Sequence, residues 1–595
     1  MPRIPMNRTP FSLLLVFLLA LVVRFVAFSG FTGAYDDTER VRILHQISQG
    51  SWPTFAGNEL WVGFLTRTGF IGVSAGLVKC LGFSERSLTL YPLLASLLTV
   101  LLVFRLGIYW LDRRGAFYAA LLFAVFPLDI IFATRIYEDA PLNFFCTLSV
   151  LLFVASRGAG SRRRRFVFNF LAGLAIGGAY LHKVSAVYFC LLFALVGLVE
   201  MVRSRRLLWR YAFLGFGFLA VFVLDLWFNQ TVNGDPFFHL HYYTTQAEIL
   251  TAQKGNFLEP TGGPSGALRR LFWSFPVGSL ISLYLGFFYW FIFPAFFYCL
   301  LRRGRELGFV LFWWALLAVL VNLSALQGAR LPFYARGTYL MSVPGVILVA
   351  QLLLDMKQWA FLGSVRWRKG ILATLAFVAC LGLIATGAVV LYREPVVEMV
   401  ARVFLLKSSF LDRKSLETVI GFYTRNLMFL AGSVTIFVGL IAGIAWIREK
   451  GGNRIWPAEL LPVLALGFLA ISSIAFSVIC TRPGPRLEKE AFRVLSSLPP
   501  KTTYVDPRMK KFFDFYSAYR ETARFVDFLD VRLDAIRDAY VVDHALYRSF
   551  MTQLHEPFSK YSKFTRYPDI AAIVEPDWKI VGKLHGGDVI IYDIP

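Results

Sequence analysis

Charge is scarce in this chain of 595 residues, and acid is the scarcer sign: 38 Asp and Glu stand against 61 Lys and Arg, together 17% of the total. Cysteine is rarer still. Six are scattered (Cys80, Cys146, Cys190, Cys299, Cys380 and Cys480), and no CxxC or zinc-like cluster appears. Five lie within or beside apolar runs, so they read as small hydrophobes and a cysteine-based metal framework is excluded. No convincing internal repeat is visible. Nor does a small-residue cleavage site follow the first apolar run, Phe11–Ser29, which is longer than a signal-peptide core and reads as an anchor.

Apolar residues are what the chain has in quantity, 57% of the total. A soluble domain is about 45–50% apolar, and here the excess is gathered in runs long enough to cross a bilayer. Buried helices of a large soluble protein would be amphipathic rather than apolar all round. The fold class is therefore an α-helical polytopic membrane protein. Approximate spans fall at 11–29, 88–110, 116–133, 140–156, 166–181, 184–202, 211–229, 276–301, 307–326, 337–355, 371–392, 426–447 and 457–480.

The formal net charge of +23 would suggest nucleic acid in a soluble chain. Its distribution reports topology instead. With a cytoplasmic N-terminus, the inner segments hold about 23 Lys and Arg in about 60 residues, against about 18 in about 155 residues outside. The Arg162–Arg165 run then lies inside, where it touches anionic lipid rather than RNA. An odd number of spans puts residues 481–595 outside. This tail begins at Thr481-Arg-Pro-Gly-Pro485, where long apolar runs stop. Its strand-like runs at Thr503–Val505, Ala539–Val542 and Ile570–Val574 alternate with helical stretches at Lys489–Leu498 and Ala518–Leu533. A hairpin of Lys579–Leu584 and Asp588–Asp593 turns about His585-Gly-Gly587. The expectation is a transmembrane unit over 1–480 and an outer α/β domain over 481–595. Three outer loops, 30–87, 230–275 and 393–425, are too long to be connectors; in the first, Leu60–Leu81 reads as interfacial helix.

Polar groups of both signs gather on that outer side: Asp36, Asp37, Arg135, Glu138, Asp139, Lys183, Asp225, His239, His241, Arg330 and Arg336. Snorkelling accounts for any one of them, and for Arg24 and Lys79 in particular. It does not explain the concentration on one face. Glycosyl transfer from a polyprenyl-phosphate sugar would use such a set. The leaving phosphate needs no general acid, whereas the acceptor hydroxyl needs a carboxylate to take its proton. Cations must hold the phosphate and stabilise its growing charge. Asp36 or Asp139 supplies the first, and Arg336, Lys183 and Arg135 the second. Direct displacement predicts inversion at the anomeric carbon.

The motifs resemble those of the GT-C membrane glycosyltransferases, the group of protein O-mannosyltransferases and lipid A aminoarabinose transferases. Tyr35-Asp-Asp-Thr-Glu-Arg40 resembles that family's first acidic motif, which implies a catalytic Asp36 with Asp37 supporting it. Thr134-Arg-Ile-Tyr-Glu-Asp-Ala-Pro-Leu142 is similar to the second, which implies Asp139 in the active site beside Glu138. Leu331–Pro344 is similar to the late Arg-aromatic-Pro segment and implies Arg336 and Tyr339 at the donor phosphate; Lys183 falls where relatives carry a lysine. One departure leaves the donor sugar open: aminoarabinose transferases have Glu-Lys-Pro-Pro in the first loop, where this chain reads Glu59-Leu-Trp-Val-Gly-Phe-Leu-Thr-Arg67.

No cofactor is required by this chemistry. A divalent metal is the one addition the relatives suggest, and His239 and His241, which would share a face on a strand, are weak candidates for it without a third ligand. The implied partners are a polyprenyl-phosphate sugar donor, membrane lipids, and a glycolipid, cell-wall glycan or protein acceptor, with no nucleic acid. The implied location is the cytoplasmic membrane, with the active site on its outer face. The alternative, a transporter or flippase of a lipid-linked sugar, would show repeats and midplane polar sites. A non-catalytic outer-surface assembly would leave the acidic pairs without a role.

Overall fold

The computed structural model describes residues 9–356 and 460–595, apart from 33–34, 54–61, 206–208, 240, 243–277, 283, 329–334, 482–485, 528–535, 545–573, 575–576 and 585–588. The expected spans at 371–392 and 426–447, the loop 393–425, most of the loop 230–275, Arg330, the run 570–573 and the His585-Gly-Gly587 turn lie outside the described residues.

The chain is mostly helical. After α1 (Thr9–Val26) come α2 (Tyr35–Ser48), the single turn α3 (Val62–Leu65), α4 (Thr68–Leu81), α5 (Glu85–Trp110), α6 (Arg113–Ala124) and α7 (Pro127–Ala133). Then follow α8 (Asp139–Gly158), α9 (Arg162–Tyr180), α10 (Val187–Ser204) and α11 (Trp209–Asn233). Among the described residues, five helical stretches are long and apolar enough to cross a membrane: Glu85–Trp110, Asp139–Gly158, Val184–Ser204, Trp209–Asn233 and Arg336–Asp355. The bent pair α6–α7 makes a sixth.

Local chemistry sets the ends of these helices. Ser84 caps α5 in a capping box with Ser87. Asp112 accepts from Gly115 N–H at 2.7 Å to start α6, and Ser161 caps α9. The crossing of α9 and α11 depends on two glycines. A Cβ on Gly173 would lie 2.0 Å from the Leu214 carbonyl oxygen, and one on Gly217 would lie 2.1 Å from that of Phe170. Small residues let the two backbones touch where lipid supplies no hydrophobic drive.

Two expected continuous spans are broken. The run 116–133 bends by 56° between α6 and α7. Pro127 opens α7, and Phe126 before it is extended with ψ 117°, as a proline demands of its predecessor. The run 276–301 divides into α12 (Gly278–Ile281) and α13 (Phe288–Arg302), with Gly286 between them at φ +55°. Beyond α13 lie α14 (Gly308–Gly328), a 3₁₀ turn over Ala335–Met341, α15 (Ser342–Asp355) and α16 (Leu460–Thr481).

The bend carries Asp129 into the helical body, where it meets Arg24. Both are fully buried and paired. Arg24 also donates to Ser96 Oγ at 2.7 Å and to the Ala20 and Ala124 carbonyls at 2.9 Å each. Ser96 and the Tyr339 hydroxyl donate to Asp129. The snorkelling expected of Arg24 is thus overturned: its guanidinium points inward because a buried carboxylate and two carbonyls wait there.

The tail forms α17 (Arg486–Ser497), β1 (Thr502–Val505), α18 (Pro507–Tyr516), β2 (Phe525–Asp527), β3 (Ala539–His544), β4 (Lys579–Leu584) and β5 (Val589–Ile594). The sheet order is β2-β1-β3-β5-β4, with β1 parallel to β2 and β3, and β5 antiparallel to β3 and β4. The expected hairpin is the β4–β5 pair. Of Ala518–Leu533, expected as helix, residues 528–533 lie outside the described residues; the described part, 518–527, turns and enters β2, with Ala518 and Tyr519 at φ of +51° and +57° just past the end of α18. The sheet unit shares a core with the segment 30–87 and with the turn before α8: Phe31, Val41, Leu44 and Phe70, together with Ile136, pack in one cluster with Leu495, Met509, Phe512 and Phe525.

Replacing Arg24 by Ala leaves Asp129 buried without its counter-ion. The expected cost is about 3–5 kcal/mol, read as a lower thermal midpoint in detergent. The double variant Arg24→Leu/Asp129→Leu should recover much of it.

Candidate active site

Glu138 and Asp139 stand side by side at the start of α8, both buried. Around them close four cations from four parts of the chain. Arg40 of α2 reaches Glu138 Oε2 at 3.0 Å, and Arg67, just before α4, reaches Oε1 at 2.9 Å. Lys183, in the turn between α9 and α10, donates to Asp139 Oδ1 at 2.9 Å. Arg336 spans both carboxylates, with Nε on Asp139 Oδ2 at 2.6 Å and Nη2 on Glu138 Oε1 at 2.5 Å. A fifth cation, Arg135, acts electrostatically on Asp37. Asp37 is buried and lies 3.8 Å from Arg40.

Aromatic faces cover this cluster. The Arg40 guanidinium lies 4.8 Å from the Phe64 ring centre and 4.7 Å from that of Tyr137. Arg67 lies over Phe64 at 4.8 Å, and Arg336 over Tyr137 at 4.8 Å. Such walls lower the local dielectric and strengthen each charge interaction. Burial alone would raise the Glu138 carboxyl, but Arg40, Arg67, Arg336 and Lys183 outweigh it and hold the group well below the usual carboxylate range. Asp37 goes the other way: burial pushes it up, against the pull of Arg40, the Thr32 hydrogen bonds and Arg135. Tyr137 is pushed up to about 12 by burial and by Asp37.

Local structure puts each side chain in place. The Gly69 N–H donates to the Leu181 carbonyl at 2.9 Å, and a Cβ on Gly69 would lie 2.8 Å from Leu181 Cβ. That approach docks the start of α4, with Arg67, onto the turn carrying Lys183. The neighbouring His182 is fixed by Tyr91 at 2.6 Å and by the Gly178 carbonyl at 2.6 Å, which sets the turn's direction.

Of the residues the sequence singled out, Glu138, Asp139, Lys183 and Arg336 therefore meet, with Asp37 and Arg135 alongside. Asp36 occupies the first turn of α2; its side chain lies outside the described residues. Tyr339 is set apart, its hydroxyl engaged by Asp129. Arg40 and Arg67 went unassigned at the sequence level. For Arg40 the available signal was its i,i+3 spacing from Asp37, which puts both on one face of a helix.

His239 and His241 diverge. The stretch around them is helical rather than extended, so residues two apart face different ways. His239 is buried, with Nδ1 3.0 Å from Asp225 Oδ2, whereas His241 is exposed and pairs with Asp235 at 2.7 Å. Among the described residues, no group of three or more His, Cys, Asp or Glu could hold a metal ion. These two histidines do not fit a shared metal.

Comparison with known proteins gives three findings. Residues 73–228 match the family described as dolichyl-phosphate-mannose-protein mannosyltransferase. A stretch of 130 residues is 38% identical to an undecaprenyl phosphate-alpha-4-amino-4-deoxy-L-arabinose arabinosyl transferase of Pseudomonas paraeruginosa. It covers 22% of this chain and 23% of that protein. The whole architecture is similar to ArnT from Cupriavidus metallidurans bound to undecaprenyl phosphate, with TM-score 0.57, 17% identity and 98% of each chain covered. The apo state of the same protein superposes with TM-score 0.54 at 16% identity, covering 97% of each chain.

Because its neighbours depress the Glu138 carboxyl, the stabilisation it brings is full above the ordinary glutamate range and fades as pH falls below it. The wild-type thermal midpoint should therefore exceed that of Glu138→Gln at pH 7, with the gap narrowing as the pH is lowered to about 3. A gap constant with pH would remove the carboxylate's charge as its source.

Proposed function

We propose, for a chain with the GT-C glycosyltransferase fold, that it moves a sugar from a polyprenyl-phosphate donor to an acceptor hydroxyl or phosphate on the outer face of the cytoplasmic membrane. The observation that carries this reading is the cluster of five cations around Asp37, Glu138 and Asp139. Counting those groups alone, the cluster keeps a surplus of two positive charges. An anionic phosphate on a lipid tail answers that surplus, and long apolar helices alongside give the tail its surroundings. The Lys and Arg bias of the short loops supports the outer face, with residues 481–595 as the outer domain beside a transmembrane unit over 1–480. The acceptor class is a glycolipid, a cell-wall glycan or a protein.

In this mechanism the acceptor oxygen attacks the anomeric carbon as the bond from that carbon to the phosphate oxygen breaks. The electron pair leaves with polyprenyl phosphate. Arg336 and Lys183, with Arg135 nearby, hold the phosphate and stabilise the charge that grows on it. Glu138 and Asp139 keep these cations aimed when no donor is bound. Because both Asp139 oxygens already accept from Lys183 and Arg336, the acceptor's proton goes to Asp36, at the start of α2. One displacement inverts the anomeric centre.

Two variants separate binding from chemistry. Arg336→Ala should weaken the donor, raising its KM about tenfold or more. Asp36→Asn should leave donor binding intact and lower kcat by about 10²-fold or more. Transfer by purified protein from a polyprenyl-phosphate sugar, with product stereochemistry by NMR, is the measurement. Wild-type turnover by Asp36→Asn removes that residue as the base, and a retained anomeric configuration removes the single displacement.

A further inference from the structure

A single line of contacts runs from the C-terminal unit to the acidic cluster. It begins at Lys489 of α17, whose Nζ lies 2.5 Å from Glu85 Oε2. Tyr516 of α18 donates its hydroxyl to Oε1 of the same carboxylate at 3.4 Å. Glu85 in turn accepts the backbone N–H of Phe31 at 3.3 Å. The Phe31 ring, fully buried, stacks on Phe515 at 4.3 Å and meets the edge of Phe512 at 5.2 Å. The next residue, Thr32, donates its N–H to Asp37 Oδ2 at 3.2 Å and its hydroxyl to the same oxygen. Asp37 faces Arg40, and Arg40 holds Glu138.

The residue before Phe31 belongs to the same device. Gly30 has φ +68°, and its N–H donates to the Thr134 carbonyl at 2.9 Å, tying this segment to the turn that leads to Glu138. A Cβ there would lie 3.1 Å from the Glu85 carboxyl group. The backbone at 30–32 is therefore held from three directions: by Glu85, by the α18 aromatics and by the acidic turn. It enters α2 only a few residues later, and the first turn of α2 carries Asp36.

We infer that the C-terminal unit is a positioning part of the active site, with Lys489, Tyr516, Phe512 and Phe515 holding residues 30–32 and thereby fixing where the first turn of α2 presents Asp36. The inference rests on the transferase reading proposed above. It differs from a lid or an acceptor-binding surface in where the contacts fall. They grip the segment leading into α2 and the carboxylate beside it, across 404 positions of sequence between Glu85 and Lys489. A proton acceptor must sit within hydrogen-bond reach of the attacking hydroxyl, and a displacement of about 1 Å costs up to about 10²-fold in rate. Arg336 and Lys183 meet this line only at its far end, through Glu138 and Asp139, so donor binding is expected to change less than turnover.

The test uses the full chain in detergent or lipid nanodiscs, with Lys489→Ala, Lys489→Arg and Phe515→Ala compared with wild type. Three quantities are read: transfer kinetics with a polyprenyl-phosphate sugar, direct binding of polyprenyl phosphate, and hydrogen exchange at the Phe31 and Thr32 amides. Lys489→Ala should speed exchange at those amides and lower kcat about tenfold while donor KM stays within about twofold. Lys489→Arg should restore both. Phe515→Ala should act in the same direction more strongly.

Unchanged exchange in Lys489→Ala and Phe515→Ala overturns the clamp. Faster exchange with wild-type kcat overturns its catalytic role, and so does an equal loss of turnover and polyprenyl-phosphate binding. Arg336→Ala serves as the control for the underlying reading. If it binds polyprenyl phosphate as wild type does, the proposed donor site is wrong, and the exchange data still decide whether the clamp exists.

Discussion

Two adjacent carboxylates organise one end of this membrane protein. Burying Glu138 and Asp139 is costly unless each is paired and hydrogen-bonded, and the chain meets that demand with cations drawn from four separate elements. Arg40 arrives on α2, Arg67 ahead of α4, Lys183 in the α9–α10 turn and Arg336 on the 3₁₀ turn. Each pairing therefore also fixes the position of an element. The same contacts that neutralise the acids converge these loops and helix ends on one place, so folding and site assembly are coupled there.

The helical body contributes a second buried ion pair with a different role. Arg24 and Asp129 tie α1 to α7, and through Ser96 and Tyr339 they reach α5 and the 3₁₀ turn. Tyr339 stands three residues from Arg336, so its bond to Asp129 braces the turn from which Arg336 extends. The two polar clusters are thus joined through this short 3₁₀ segment, one inside the helical body and one at the start of α8.

Much of this was legible in the sequence. Apolar runs bounded by charge marked the five described helices long enough to cross a bilayer, because a bilayer imposes length and composition together. Glu138, Asp139, Lys183 and Arg336 stood out because charges at span ends on one side need a reason. Arg67 carries no site signal in the sequence, because its partner is 71 positions away and its own neighbourhood reads as semi-apolar loop. Arg24 was misjudged for a similar reason: its partner Asp129 sat inside what looked like one continuous span, and only the break before Pro127 turns it inward. Ala518–Leu533 has a helical composition, yet two left-handed residues follow the end of the preceding helix, and the chain turns before β2 begins at Phe525. Pairwise geometry across long sequence separations is what a single chain, read in order, does not display.

The kink before Pro127 has one more consequence. A helix that stops inside the membrane leaves its final carbonyls without the amide donors of a following turn, and hydrocarbon offers no water to replace them. At the end of α6, the Ala124 carbonyl receives its proton donor from Arg24 instead. The arginine acts as a borrowed piece of backbone, completing a helix that is not its own. Side chain and kink are in that sense a single device: straighten α6 through residue 127 and the guanidinium loses an acceptor it was placed to serve; lose the guanidinium and the kink leaves a bare carbonyl in the protein interior.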